Sequence, residues 1–189
     1  MELTLNPKYI EIGVCGLSCR LCPSYNSKAE SRCGGCKSAQ RMKVGCPFIT
    51  CAVKKKELDF CWQCSESKTC EKWLSHRDAS KTGDSFKCYQ TLEADIAFIL
   101  QHGIDAFWHQ QEERALILRA MLDEFNEGRS KSYYCIAVTV IDIGELRQAL
   151  MAAREQAKDL SIKQKAKFLH AQLDAIAKEK GYLLKLRKK

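Results

Sequence analysis

No apolar run in this 189-residue chain approaches the ~20 residues needed to cross a bilayer as a helix, which excludes a helical membrane span. The opening residues Met1-Glu2-Leu3-Thr4-Leu5-Asn6-Pro7 carry an early acid and no apolar stretch, so they do not read as a secretory leader. No repeat of solenoid period appears, and the strand–helix alternation of a parallel α/β sheet is missing. There is no Walker A sequence either, since no Gly-Lys-Ser/Thr closes a set of spaced glycines. Large apolar side chains are scarce through the first third, which therefore needs staples to hold a fold. With no leader and no span, the expectation is a cytoplasmic protein whose thiols stay reduced.

What the first third does have is sulfur. Ten of the twelve cysteines lie between Cys15 and Cys70. Cys15, Cys19 and Cys22 form C-x3-C-x2-C, and Cys33 and Cys36 form C-G-G-C. Cys46 and Cys51 follow, then the C-x2-C pair Cys61 and Cys64, then Cys70. A two-residue gap lets both sulfurs of a tight loop turn toward one ion, and Gly34-Gly35 allows backbone N–H groups to point at sulfur. In reduced surroundings such density predicts metal rather than disulfides. Zinc takes four tetrahedral ligands, so eight cysteines make about two sites and two thiols remain over. The surplus reads as outer thiols, reactive thiols or members of a shared cluster, and His76 is a further ligand candidate. Separated C-x2-C pairs favour zinc, whereas Cys22-Pro23 and Cys46-Pro47 match the Cys-Pro ending of iron–sulfur runs, which stands as the alternative. The spacing at Cys15–Cys22 also resembles the radical-SAM fingerprint, but the α/β alternation that such a barrel requires is absent.

Other residues carry weaker signals. Cys88 and Cys135 sit in apolar settings and read as packed core thiols. His102 and His109, near Glu112 and Glu113, read as solvated because Gly103 interrupts any helix joining them. After Gly128, the stretch Arg129-Ser130-Lys131-Ser132 alternates cations with hydroxyls and is a candidate anion cradle, with Tyr133 and Tyr134 placed to stack on a base; the plainer reading is a basic helix C-cap. The net charge of +8 is uneven, with nine Lys/Arg against Asp174 and Glu179 over residues 163–189. That basic end fits nucleic acid or another polyanion as partner, or a solvated helix face with a frayed tail.

The pattern divides the chain into a cysteine-rich metal-binding module over 1–75, a polar aperiodic linker over 76–85, and a helical region over 86–189. Short helical turns are expected near 24–30 and 53–58. Thr91 caps a helix bearing Leu92, Ile96, Ile99 and Leu100, which ends at Gly103. A second, longer helix buries Phe107, Ala115, Leu118, Leu122 and Phe125, and stops at Asn126-Glu127-Gly128. Asp142 with Glu145 and Ser161 with Gln164 form capping boxes that open a third and a fourth helix, the last closed by Gly181. Residues 133–141, β-branched and aromatic, lean toward a strand, and 182–186 toward a second that pairs with it. The expected fold class is mainly α, with an irregular metal-stapled N-terminal module and one small two-stranded β element.

The order Cys-Gly-Leu-Ser-Cys-Arg-Leu-Cys-Pro-Ser-Tyr at 15–25, then C-x2-C, Cys-Pro-Phe-Ile-x-x-Cys at 46–51 and Cys-Trp-Gln-Cys at 61–64 ending in Cys70, resembles a known cysteine-rich family. It is the family catalogued as domain of unknown function 3795 (DUF3795). Gly-Ile-Asp-Ala-Phe-Trp at 103–108 continues the likeness more weakly, and Thr69 stands where members often carry Pro. The resemblance implies a metal-binding domain, with zinc the first expectation, and no particular reaction. The function expected is a binding or accessory module for a protein or nucleic-acid partner. The alternatives are an iron–sulfur or thiol-based redox enzyme, or a metal- or persulfide-handling protein that uses the surplus thiols.

Overall fold

A computed structural model describes residues 9–43, 45–85 and 87–188, so the reading of Met1–Pro7 falls outside it. The chain is mainly helical, as expected. After short turns in the first third come α1 (Ala39–Lys43), a π-helical turn over Ile49–Lys55, α2 (Glu71–Thr82), α3 (Leu92–Glu124), α4 (Lys131–Val140), α5 (Ile143–Gln156) and α6 (Ile162–Lys180). The only β pairing among the described residues is an isolated bridge between Ile12 and Ser18.

Local chemistry sets the ends of α5 and α6. Asp142 accepts the Gly144 N–H at 2.7 Å and opens α5. Gln164 reaches back to the Ser161 N–H at 3.0 Å and opens α6, which ends at Gly181 in the left-handed region. Gly103 interrupts α3 with φ 86° and ψ 163°. Thr91 does not cap through its side chain; its hydroxyl donates to Asp95 at 2.9 Å instead.

Four expectations are corrected. Residues 133–141 are not a strand but α4, because Tyr134 to Val138 are all buried in the middle of the helical core and have no strand edge to pair with. Tertiary burial overrides their β propensity. Residues 182–186 form no strand either; Leu184 and Leu186 pack onto that same core. The polar stretch at 76–82 is not irregular but the body of α2, which buries only Trp73 and Ser80 and so shows no broad apolar stripe in sequence. In the first third, 24–30 forms turns without a helix, and the second turn lies at Ile49–Lys55 rather than 53–58.

Two smaller cores join the first third to α3. Val14, Leu17, Ile49 and Val53 pack with Trp73 of α2 and with Leu92 and Ile96 of α3. Tyr9, Ile12 and Phe60 pack with Ile99 and Phe107. The cysteine-bearing loops are therefore held against α2 and both halves of α3. The C-terminal end is docked as well: Arg187 binds Asp84, and Gln90 donates to the Leu183 carbonyl at 2.9 Å. The frayed basic tail is thus not observed over 182–188.

Candidate metal centre

All twelve cysteines are free thiols. Cys88 and Cys135 lie in the helical core, as packed thiols should. Nine of the other ten gather around two depressions. The first, of ≈ 290 Å³, is lined by Cys19, Cys22, Cys33, Cys36 and Cys46. The second, of ≈ 50 Å³, is lined by Cys51, Cys61, Cys64 and Cys70. Cys15 lines neither. Its sulfur and that of Cys36 both approach Gly13, at 3.6 and 3.5 Å from where a Cβ would stand, so the missing side chain lets them converge.

One local device presents sulfurs in both places. Cys19 and Cys22 flank the 3-10 turn Cys19–Leu21, with the Cys22 N–H donating to the Cys19 carbonyl at 3.0 Å. Cys61 and Cys64 flank the 3-10 turn Cys61–Gln63, with the matching bond at 3.2 Å. The side chain of Gln63 accepts the Phe60 N–H at 3.1 Å and fixes the entry to that turn. The remaining sulfurs of the second group come from the π-helical turn (Cys51) and the residue preceding α2 (Cys70). In C-G-G-C, Gly35 takes φ 97°, and the next N–H, that of Cys36, points at Cys19 Sγ at 3.4 Å. This is the backbone-to-sulfur contact that the paired glycines predict.

The wall of the first depression includes a buried cation that the sequence did not reveal, Lys87, which is 8% exposed. Lys37, 2% exposed, is buried outside that wall. Lys37 pairs with Asp59 at 3.1 Å, with its ammonium 3.9 Å from the centre of the Phe60 ring. Burial lowers the Lys37 pKa, and Asp59 only partly offsets this. Burial also opposes the charge on Lys87, but Cys19, Cys36, Cys15 and Cys22 together outweigh it and hold its pKa above the ordinary lysine value. A buried ammonium beside several thiols favours their thiolate forms. The hydrogen bond with Cys36 lowers the Cys19 pKa, against the effect of burial. In the second group burial and the surrounding sulfurs push Cys61 up to about 12. Lys56 donates to Cys64 Sγ at 3.3 Å and pairs with Glu66 at 2.8 Å.

The donor set suits a thiophilic ion, four thiols at the smaller depression and five at the larger. Among the described residues, no three His, Cys, Asp or Glu side chains yet stand in a metal-holding arrangement. His76 lines neither depression. Its ring lies between Phe48, Trp73 and Tyr89, and burial holds it below the ordinary histidine value. His102 and His109 are exposed on either side of Gly103.

The stretch Arg129–Ser132 does not act as one loop. Arg129 and Ser130 line a groove against α6, whereas Ser132 faces a separate cavity of ≈ 140 Å³ that it shares with Cys22, Lys87, Cys88 and Cys135. Tyr134 is fully buried and donates to the Phe125 carbonyl at 3.0 Å, so it cannot stack on a base. Tyr133 stacks on His170.

No curated protein and no solved structure matches the chain. Residues 11–75, which hold all ten clustered cysteines, match the family described as protein of unknown function, DUF3795, in agreement with the resemblance read from the cysteine motifs.

Proposed function

We propose that residues 11–75 are a metal-binding module with two thiolate sites, each holding zinc. Cys51, Cys61, Cys64 and Cys70 make one site. Four of Cys19, Cys22, Cys33, Cys36 and Cys46 make the other, with Cys15 beside it. The supporting observation is the partition of nine thiols into neighbouring groups of four and five, the larger one flanked by the buried Lys87. Bound zinc supplies cross-links that a region poor in large apolar side chains needs. The sites are structural in this reading, and the module serves as a binding or accessory unit in the cytoplasm, with protein or nucleic acid as partner.

The test is metal analysis and the optical spectrum of protein prepared without oxygen. The expected result is colourless protein with about two zinc ions per chain. Brown protein containing iron would overturn it in favour of an iron–sulfur reading. That second reading draws on the ≈ 290 Å³ of the first depression, which exceeds what a single ion requires, and on Pro47 beside Cys46 in its wall. A thiol-handling role for Cys15 predicts that one cysteine alkylates with no loss of metal; protection of every thiol until a chelator is added removes that role.

A further inference from the structure

Far from the cysteines in sequence, the start of α4 and the first half of α6 enclose a groove of ≈ 670 Å³. Arg129 enters from the loop before α4, and Lys163, Lys167 and His170 come from one face of α6. Among the described residues the side chains of Arg129, Lys163 and Lys167 have no ion-pair or hydrogen-bond partner, unlike Lys180 and Arg187 further on, although the Arg129 backbone N–H serves Glu127. Two carboxylates also line the groove, and each is already engaged. Glu127 accepts the Ser130 hydroxyl at 2.6 Å, and Asp174 accepts the Tyr133 hydroxyl at 2.7 Å.

These contacts fix a proton. Ser130 is 3% exposed, and its Oγ lies 2.8 Å from His170 Nε2. A hydroxyl has one proton to give, and an ionised carboxylate only accepts. The Ser130 proton therefore goes to Glu127, and His170 Nε2 must carry hydrogen and donate to Oγ. The neutral ring then keeps its lone pair on Nδ1. Tyr133 stacks on the ring at 4.0 Å between centroids, and Tyr134 meets it edge-on at 5.3 Å, so the imidazole is held in place. Burial keeps His170 below the ordinary histidine value and favours the neutral form.

We propose that this groove binds a phosphate monoester: Arg129, Lys163 and Lys167 take the phosphoryl oxygens, and His170 Nδ1 accepts a hydrogen bond from a ligand hydroxyl. Arg129, Lys163 and Lys167 outnumber the two ionised carboxylates, which leaves the groove net positive and suited to an anion, and phosphate has oxygens enough to share among the three cations. An imidazole fixed as acceptor adds selectivity for a ligand that also donates. The volume suits a molecule the size of a nucleotide. All the residues lie outside 11–75, so the inference stands whatever metal the cysteines hold.

The same phosphate chemistry is available from a free small molecule or from a nucleic-acid end, and the experiment separates the two. The full-length protein is titrated with inorganic phosphate, with AMP and with a short single-stranded oligonucleotide bearing a 5′-phosphate, while histidine ring nitrogens are followed by NMR. Free protein is expected to show His170 as the Nε2–H tautomer. AMP should shift the His170 Nδ1 signal saturably and leave His102 and His109 unmoved. The Lys163→Gln/Lys167→Gln double variant should bind at least about tenfold more weakly. Preference for AMP over the oligonucleotide assigns the site to a small ester. The reverse order, with the same lysine dependence, assigns it to nucleic acid. Absence of a saturable shift with all three probes, unchanged affinity in the double variant, or an Nδ1–H tautomer in the free protein overturns the proposal.

Discussion

Arg187 clamps Asp84 across 103 residues of sequence: its Nε donates to Oδ2 at 3.1 Å and its terminal nitrogen to Oδ1 at 3.0 Å. The same guanidinium donates to the carbonyls of Ser80 and Lys81, capping the end of α2. The Asp84 side chain is fully buried and that of Arg187 is 18% exposed. Removing one partner strands the other, so Arg187→Met should cost about 2–4 kcal/mol in chemical denaturation. Asp84→Asn should cost a similar amount, and the double variant less than the sum of the two. Burial raises the Asp84 pKa, but the Arg187 hydrogen bonds outweigh it and hold the carboxyl below its ordinary value. A lowered folded pKa gives stability that is complete above the ordinary carboxylate range and is lost as pH falls below it. The gap between wild type and Asp84→Asn should therefore be full at pH 7 and shrink below about pH 4.

Asp95 predicts the opposite sign. It faces the ≈ 140 Å³ cavity and accepts the Thr91 hydroxyl at 2.9 Å. Burial raises its pKa to about 6, against the lowering effect of Thr91 and Arg114. A raised folded pKa means that the protonated form favours folding at low pH and that this stability is lost as pH climbs through 6. Asp95→Asn keeps an acceptor for Thr91 and removes the charge. It should be more stable than wild type by about 1–3 kcal/mol at pH 8, with no advantage at pH 4. Denaturation midpoints at the two pH values decide it.

These two carboxylates also show where sequence reading stops. Asp142, Ser161 with Gln164, Gly103 and Gly181 were legible because capping and left-handed turns are chemistry of neighbouring residues. The strand expected at 133–141 failed because Val, Ile and Tyr prefer strands only on average, and here helices on several sides bury them. The helix over 76–82 was not legible because α2 touches its surroundings along a narrow line at Trp73 and Ser80. For the cysteines, the C-x2-C spacing announced the turns, and the paired glycines announced the N–H contact to sulfur. The grouping was not legible, since Cys46 and Cys51 lie five positions apart yet line different depressions. Lys87 gave no sign of burial among thiols, because a lone lysine between Phe86 and Cys88 reads as surface.

The division of the thiols makes substitutions at single cysteines informative. Cys61→Ser and Cys70→Ser should each lower zinc by about one ion per chain, because a site of four thiols has no spare. Cys46→Ser should keep both ions, since four other thiols remain around the first depression. Cys88→Ala and Cys135→Ala should also keep both, and cost about 1–2 kcal/mol through the small voids they leave. Metal content by mass spectrometry of the folded variants checks the series. Loss of metal from Cys88→Ala or Cys135→Ala, or none from Cys61→Ser, would contradict the assignment.

Gly103 separates backbone conformation from crowding. No neighbouring atom lies within 4 Å of where its Cβ would sit, so added bulk costs nothing there. Its φ of 86° and ψ of 163° fall in a region almost closed to side chains. Gly103→Ala should therefore destabilise by about 1–3 kcal/mol, or else let α3 straighten and pull Ile99 and Phe107 out of their shared cluster. Thermal denaturation gives the comparison with wild type. Near-ultraviolet circular dichroism distinguishes the two outcomes at Gly103, since only straightening disturbs the packing of Phe107 and Trp108.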